Sequence, residues 1–320
     1  MNAPRVGIIG ARRARQGLGP FVARELIAAG AAVPCFSVTS EHSIAPALVE
    51  IERHAGVSPR GYADAERMLA AEPLDAVAIL SPAESHARHL LRAAHRGLAA
   101  LCEKPLVWGG TDLAARAAEI TTAFDTRRLL LYENCQWPFT LSGFERLHPG
   151  SLAAPPREFR MELQPASFGL GALRDSLSHP LSMLQALVPG DAPAVDEIRA
   201  EPRTRDDAPL TLRFRYRSRS HACAVEVVLA TSDRLPRRAA IAIDGRTAER
   251  VVAAETYRLS FASSDRIVAI DDPLSTLVAD FVARMRMPDE ADRRSRARDI
   301  APRMGLLAEL ARAYLEQETP

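Results

Sequence analysis

In the first third of the chain, short apolar runs alternate with longer segments in which apolar residues recur at helical spacing. A short apolar run bounded by glycine, proline or serine is typical of a buried strand, whereas a 3.6-residue period is typical of a helix packed on one face. Strands that alternate with helices form parallel sheets covered on both faces. We predict strands at 5–9, 32–38, 75–80, 99–102 and 128–132, and helices at 21–29, 46–55, 63–71, 86–97 and 111–123.

After about residue 150 the pattern changes to strand-like stretches in which apolar and polar residues alternate. Such alternation is typical of an antiparallel sheet with one face in the core and the other in solvent. We therefore predict a Rossmann-type α/β domain with a doubly wound parallel sheet over 1–125, then an α+β domain with a mostly antiparallel open sheet over 126–320. The second domain's predicted strands are 157–163, 210–217, 222–230, 239–243 and 249–254, its helices are 173–187, 273–287 and 300–317, and the charged run 289–299 is expected to be a solvated loop or helix end.

Composition and charge exclude several classes of function. A chain of 320 residues suits two domains, and its net charge of +1 gives no electrostatic reason to expect nucleic acid as a partner. No apolar run reaches the roughly 18–20 residues of a membrane helix, and no cationic leader precedes the first strand. The four cysteines are far apart and form no C-x-x-C pair, so we expect free thiols, no metal site and a cytoplasmic protein without a membrane partner.

The loop after the first predicted strand contains a modified glycine motif. Gly10 occupies the tight turn of a dinucleotide-binding loop, whereas Arg13 stands near the place of the second glycine, so Gly17 or Gly19 must serve later in a longer loop. The helix that follows would direct its N-terminus at the cofactor phosphates. The same loop could also simply join strand to helix.

The end of the second predicted strand indicates which cofactor is bound. The acidic residue that usually holds the ribose hydroxyls is absent, and the hydroxyls of Ser37 and Thr39 stand there instead. With Arg12 and Arg13 close in sequence, this set suits a 2′-phosphate better than a free diol. We therefore expect NADP, with NAD possible; the alternative is that these arginines are solvated.

Two short motifs give the chain a resemblance to a known family. The first is Glu103-Lys104-Pro105, which contains the only lysine in the sequence, and the second is the spacing Asp175-x-x-x-His179. Together with Ser81-Pro82 after a strand, His86 in the next helix and the segment 133–138 (ENCQWP), they resemble the Gfo/Idh/MocA oxidoreductases, the relatives of glucose–fructose oxidoreductase and inositol dehydrogenase. The resemblance covers nearly the whole chain.

This resemblance implies a nicotinamide cofactor at the edge of the first sheet. Lys104 would lie beside the nicotinamide and the substrate, with Glu103 in the same loop, and segment 133–138 would line the cofactor pocket through Gln136 and Trp137. Ser81 and His86 fall near the cofactor, where His86 would have a capping role more than a catalytic one. The relatives dimerise through the open face of the second sheet, so a homodimer or homotetramer is expected.

The chemistry of the motif residues suits alcohol oxidation. Removing the hydroxyl proton needs a base within hydrogen-bond reach, and His179 titrates near neutrality. Asp175, four residues earlier and so on the same face of a helix, would hold a neighbouring hydroxyl. Lys104 would stabilise the developing alkoxide. The competing interpretation is that Asp175 and His179 form a surface pair worth only a few tenths of a kcal/mol.

Two functions from different classes follow. The first is an NAD(P)-dependent oxidoreductase acting on the CH–OH group of a small-molecule substrate: a sugar, a cyclitol, a related polyol or its keto form. The second is a non-catalytic nucleotide- or sugar-binding regulatory scaffold with the same fold. The altered glycine loop and the missing ribose acid favour the scaffold, whereas Lys104, Asp175 and His179 together favour the enzyme.

Overall fold

The computed structural model describes residues 2–12, 17–110, 112–201, 209–219, 221–287 and 289–318. Within them the chain packs as two compact units, one of residues 1–134 and 274–301 and the other of residues 135–273 and 302–320. The boundary at 125/126 stays a prediction about the extent of the domains.

The first unit contains a six-stranded parallel sheet in the order β3-β2-β1-β4-β5-β6. The central strands β1, β4 and β5 are buried along their whole length, which explains why their sequences are continuous apolar runs. The strands are β1 Val6–Ile9, β2 Cys35–Ser37, β3 Arg60–Tyr62, β4 Ala76–Ile79, β5 Ala99–Cys102 and β6 Leu131–Glu133, and the helices are α1 Gly19–Ala28, α2 Ile44–Ala55, α3 Ala65–Ala71, α4 Ala83–His95 and α5 Leu113–Thr126.

Local sequence signals begin and end several of these helices. The Asp64 carboxylate accepts hydrogen bonds from two backbone N–H groups at the start of α3, and that of Asp112 accepts one at the start of α5. Each carboxylate satisfies donors that have no partner inside the helix. Gly56, with φ +68°, ends α2 in the left-handed conformation.

The second unit contains an eight-stranded sheet in the order β14-β13-β12-β11-β7-β10-β9-β8. All its neighbouring strands are antiparallel except the pair β7 and β10. The strands are β7 Glu158–Leu163, β8 Ala194–Glu201, β9 Leu210–Arg217, β10 Ala222–Leu229, β11 Ala239–Ile243, β12 Arg246–Val252, β13 Leu259–Ala262 and β14 Ile267–Ile270, and the helices are α6 Leu141–Leu147, α7 Gly169–Ser176 and α8 Ser178–Leu187. A parallel sheet followed by a mostly antiparallel one confirms the predicted fold class.

Three helices complete the chain: α9 Pro273–Arg286, α10 Glu290–Arg298 and α11 Ile300–Glu318. Helix α10 corrects the expectation of a solvated loop or helix end at 289–299, because nearly the whole segment is a helix of its own. Arg293 explains the helix in part, because its guanidinium is buried and donates to the Asp125 carboxylate of α5 at 2.8 Å. A charged segment thus packs on the first unit through one buried arginine.

The helix predicted at 173–187 is divided in two, since α7 ends at Ser176 and α8 begins at Ser178. Pro180 lies in the first turn of α8 and has no N–H to donate to the carbonyl of Ser176. Leu177 between them keeps helical angles, φ −65° and ψ −26°. The break therefore changes the assignment but not the general course of the backbone.

Candidate functional site

The polar residues of the first unit gather where the parallel strands end. Gly10 follows β1, Ser37 ends β2, Ser81 comes two residues after β4 and Glu103 follows β5. The backbone N–H of Gly10 donates to the Ser37 carbonyl at 3.0 Å. The carboxyl edge of an open parallel sheet is where such folds bind ligands.

The glycine loop is closely packed at both ends. Gly10 has φ +87°, and a Cβ there would lie 2.5 Å from the backbone nitrogen of Ser81. A side chain on Gly19, the first residue of α1, would overlap the backbone of Ala11. Both glycines therefore allow close backbone approach, the role that glycines have in a dinucleotide-binding turn.

The predicted ribose-phosphate residues differ in accessibility. Thr39 and Arg12 are exposed, whereas Ser37 is only 1% exposed. Arg13 lies outside the described residues. Thr39 and Arg12 are thus the members of the set that a ligand can reach in the described part of the loop.

His86 connects two of the strand ends. Its side chain is 1% exposed, with Nδ1 2.9 Å from the Pro105 carbonyl oxygen and Nε2 2.7 Å from the Ser81 carbonyl oxygen. The contacts occupy both ring nitrogens, and His86 therefore holds the loop after β4 against the turn after β5.

The turn that carries Lys104 is held from several sides. The Glu103 N–H donates to the Ile79 carbonyl at 2.8 Å, and the Glu103 carboxylate accepts from Asn134 Nδ2 at 2.5 Å. On the other side of the lysine, the Leu106 N–H donates to the buried Glu133 carboxylate at 2.9 Å. Lys104 is half-buried. Hydrogen bonds therefore fix the backbone before and after Lys104 in the chain.

Glu133 and Asn134 contact the lysine turn, a role that the sequence analysis did not assign. Their signal was their position: they directly follow the last predicted strand of the parallel sheet, in the segment that resembles the family. Asn134 is 1% exposed, and its N–H also donates to the Cys102 carbonyl at 2.7 Å. These two side chains join the end of β6 to the lysine turn.

In the second unit, Asp175 lies in the last turn of α7 and His179 in the first turn of α8. The Asp175 carboxylate accepts from the Ser167 hydroxyl at 2.6 Å and from Arg174 Nε at 2.8 Å, and its side chain is 34% exposed. The predicted single helix is wrong here, but the helical angles of Leu177 keep an i, i+4 relation between the two residues. His179 is half-buried.

An aromatic ring lies beside His179, and a basic side chain packs against that ring. The Trp137 ring meets the His179 ring edge to face, with centroids 6.5 Å apart, and the Arg250 guanidinium lies 5.6 Å from the Trp137 ring centroid. Trp137 is 5% exposed and Gln136 is half-buried. Arg250 and Ser167 escaped the sequence analysis because no motif marks them.

The thiols have no reactive character. Cys35, Cys102, Cys135 and Cys223 are buried thiols and not disulfide partners. Burial raises the pKa of Cys35 and of Cys223 to about 12 and that of Cys102 well above its usual value. Among the residues the structure describes, no group of histidine, cysteine and carboxylate side chains could hold a metal ion, and no helix is long and apolar enough to cross a membrane.

Comparisons with known proteins agree with this architecture. Residues 4–133 match the model of the Gfo/Idh/MocA oxidoreductase family, NAD-binding Rossmann fold. D-apiose dehydrogenase of Paraburkholderia graminis is 36% identical over 97 residues, which are 30% of this chain and 25% of that protein. The chain thus matches about a quarter of the length of this curated relative.

Solved structures resemble the chain over almost its full length. UDP-N-acetylglucosamine 3-dehydrogenase GnnA from Acidithiobacillus ferrooxidans has a TM-score of 0.67 at 20% identity, covering 98% of this chain and 100% of that one. An inositol dehydrogenase homolog from Azotobacter vinelandii, complexed with NADH and myo-inositol, has a TM-score of 0.68 at 14% identity, covering 98% and 96%. At these identities the likeness shows the fold.

Proposed function

Because the chain belongs to the Gfo/Idh/MocA family of oxidoreductases, with residues 4–133 matching its NAD-binding domain, we propose that it is an NAD(P)-dependent dehydrogenase. It transfers a hydride between the nicotinamide cofactor and a sugar, cyclitol or related polyol, or the corresponding keto form. The observation that carries this proposal is the Lys104 turn, which backbone and buried side chains hold at the carboxyl edge of the parallel sheet.

Each motif residue has one step to perform. His179 takes the hydroxyl proton of the substrate, and Lys104 stabilises the negative charge that develops in the transition state. Asp175, oriented by Ser167, holds a neighbouring hydroxyl. When bound, the nicotinamide supplies the hydride chemistry.

The activity is tested by separating turnover from binding. Lys104→Ala should lower kcat by at least 100-fold on a polyol or keto-sugar that the wild type turns over, because an electrostatic contact made in the transition state is lost. Cofactor affinity, followed by nicotinamide fluorescence, should change less than threefold. Lys104→Arg is the matched control, since it keeps the charge but not the compact ammonium.

Three results would contradict the proposal. The first is unchanged turnover in Lys104→Ala, and the second is no fluorescence response of the wild type to either NADPH or NADH. The third is cofactor binding without turnover across a broad panel of polyols and keto-sugars. That result would favour the scaffold function instead.

For the cofactor we propose NADP, with NAD as the alternative. The support is the exposed Thr39 and Arg12 near the end of β2 and the lack of a carboxylate over 37–40. NADPH should bind more tightly than NADH, and the ratio should fall at least tenfold in an Arg12→Ala/Arg13→Ala variant, since a phosphate loses its cationic partners. An unchanged ratio would defeat the preference.

We also expect a homodimer or homotetramer formed through the solvent face of the second sheet. That face carries paired charges, including Arg160 and Arg213, which both contact Glu226. Contacts between charged faces weaken with salt. Light scattering should therefore report a multiple of 34.8 kDa at low ionic strength, and a monomer mass at every salt concentration would contradict the expectation.

A further inference from the structure

Arg250 lies on the core-facing side of the second sheet. It shares a face of β12 with Ala248, which is completely buried. Strand pairing brings Ala240 opposite Glu249 and Ala239 opposite Leu163. Arg250 therefore lies near the edge of the sheet where β7 ends, and the chain that leaves β7 there leads to Ser167 and α7.

Hydrogen bonds connect Arg250 to the segment that orients Asp175. The Thr231 hydroxyl donates to the Ser167 carbonyl at 3.3 Å, and Arg237 Nε donates to the Ser232 carbonyl at 3.1 Å. Arg250 Nη2 in turn donates to the Arg237 carbonyl at 2.9 Å. One loop, 231–238, therefore touches both Arg250 and the residue that holds Asp175.

On its other side, Arg250 reaches the candidate base through one aromatic ring. Its guanidinium lies 5.6 Å from the centroid of the Trp137 ring, and that ring meets His179 edge to face. Arg250 is thus linked to Asp175 through the loop and to His179 through Trp137.

Arg250 has a buried donor group that is not used: its Nε is shut off from solvent and makes no hydrogen bond to a described residue. Burial lowers the pKa of Arg250, an effect that Asp272 opposes. Arginines removed from water are normally paired, so this donor fork is suited to an anion that comes from outside the chain.

We propose that Arg250 and Trp137 form a subsite for an anionic group of the substrate, a carboxylate or a phosphate carried by the sugar or polyol. Arg250 binds the anion through guanidinium donors that the Arg237 carbonyl leaves unused, and Trp137 supports the guanidinium plane. The assignment of this anion to a substrate rests on the proposed dehydrogenase function. The binding of the anion itself does not.

Binding without cofactor provides the first test. In a Trp108→Phe background, Trp137 is the remaining tryptophan and reports on its own surroundings. Gluconate and glucose 6-phosphate are titrated in parallel with neutral sorbitol and glucose. We expect saturable fluorescence changes with at least one charged probe, at least tenfold tighter than with its neutral counterpart, and the probe that responds identifies carboxylate or phosphate.

Variants then assign the effect to Arg250. Arg250→Gln should weaken the binding of the charged probe at least tenfold and change the affinity for the neutral probe less than twofold. Arg250→Lys should weaken the binding of the charged probe at least threefold, because an ammonium group keeps the charge but not the forked donors of a guanidinium. Arg238→Gln is the matched control, as this exposed arginine of the same loop pairs with Glu249, and it should bind like the wild type.

The outcomes separate the subsite from the dehydrogenase proposal. Equal affinity of Arg250→Gln and the wild type, or no response to either charged probe, overturns the subsite. If Arg250→Gln does not fold by circular dichroism, Arg250→Lys decides the question. Anion binding that depends on Arg250 stands even if no turnover is found, whereas turnover of neutral polyols without anion binding removes the subsite alone.

Discussion

Lowering the pH should destabilise the fold through His89. This residue lies on α4, is 6% exposed, and its Nδ1 has no hydrogen-bond partner among the described residues. Burial lowers its pKa from 6.5 to about 4, and the positive charges of Arg88 and Arg92 act in the same direction. The folded chain therefore keeps this ring neutral at pH values where the unfolded chain protonates it.

The sign and size follow from proton linkage. Between pH 6.5 and about 4 the unfolded state binds one more proton at this position than the folded state, so stability falls as the pH falls. The loss approaches about 1.4 kcal/mol per pH unit in the middle of this window and totals about 3 kcal/mol at pH 4. Above about pH 7.5 the ring is neutral in both the folded and the unfolded state, and His89 contributes almost no pH dependence.

The assay is urea unfolding between pH 4 and pH 8, with the free energy of unfolding plotted against pH. His89→Leu removes the titrating group and should flatten the curve below pH 6.5 by about one proton. His95→Gln, at an exposed histidine of the same helix, should leave the curve unchanged. Parallel curves for the wild type and His89→Leu across the whole range would refute the argument.

The remaining predictions concern Gly10 of the glycine loop, the buried thiols and the His86 side chain. Gly10→Ala should lower the free energy of unfolding by about 2 kcal/mol more than Gly56→Ala does, because both glycines have positive φ but of the two only Gly10 has no room for a Cβ. Thermal melts compare the two variants, and equal losses of stability would contradict this prediction. Cys35 and Cys223 should resist Ellman's reagent at pH 8 in the folded protein and react in urea, since a pKa of about 12 leaves almost no thiolate; rapid labelling of the native state would disagree. His86→Asn should raise hydrogen exchange in the turn that precedes Pro105 and lower kcat more than cofactor affinity. Unchanged exchange would show that His86 does not hold the loop after β4 against this turn.

The sequence predicted most reliably what local pattern determines. Strands β1, β4 and β5 are apolar runs buried on both faces, and their predicted positions agree with the structure to within a residue or two. Strands β8 and β13 escaped prediction because their exposed positions are polar or small and their existence depends on pairing with distant neighbours. Pro180 is the sequence feature that marks the break between α7 and α8, since it lacks the N–H that a continuous helix needs at that position.

The residues of the candidate site show the same difference between local sequence signals and long-range pairing. Lys104 and its turn are marked by a short motif, and Glu133 lies in the neighbouring segment of the same resemblance. Arg250 has no such mark, because its significance comes from the pairing of β11 with β12 and from the ring of Trp137, more than a hundred residues away in sequence. A residue whose role depends on long-range pairing is visible only in the folded chain.

The two units differ in how firmly they hold their functional groups, and this difference bears on specificity. The Lys104 turn is tied to the ends of three strands by His86, Glu133 and Asn134, all of them almost completely buried. The Asp175 carboxylate accepts from the Ser167 hydroxyl and from Arg174, and a third of its side chain is exposed. A group held by buried side chains keeps its position when a single contact is lost, whereas a group held by partly exposed side chains moves when its neighbours change. Substitutions in the loops of the second unit should therefore alter which substrate is accepted long before they alter the step that depends on the lysine.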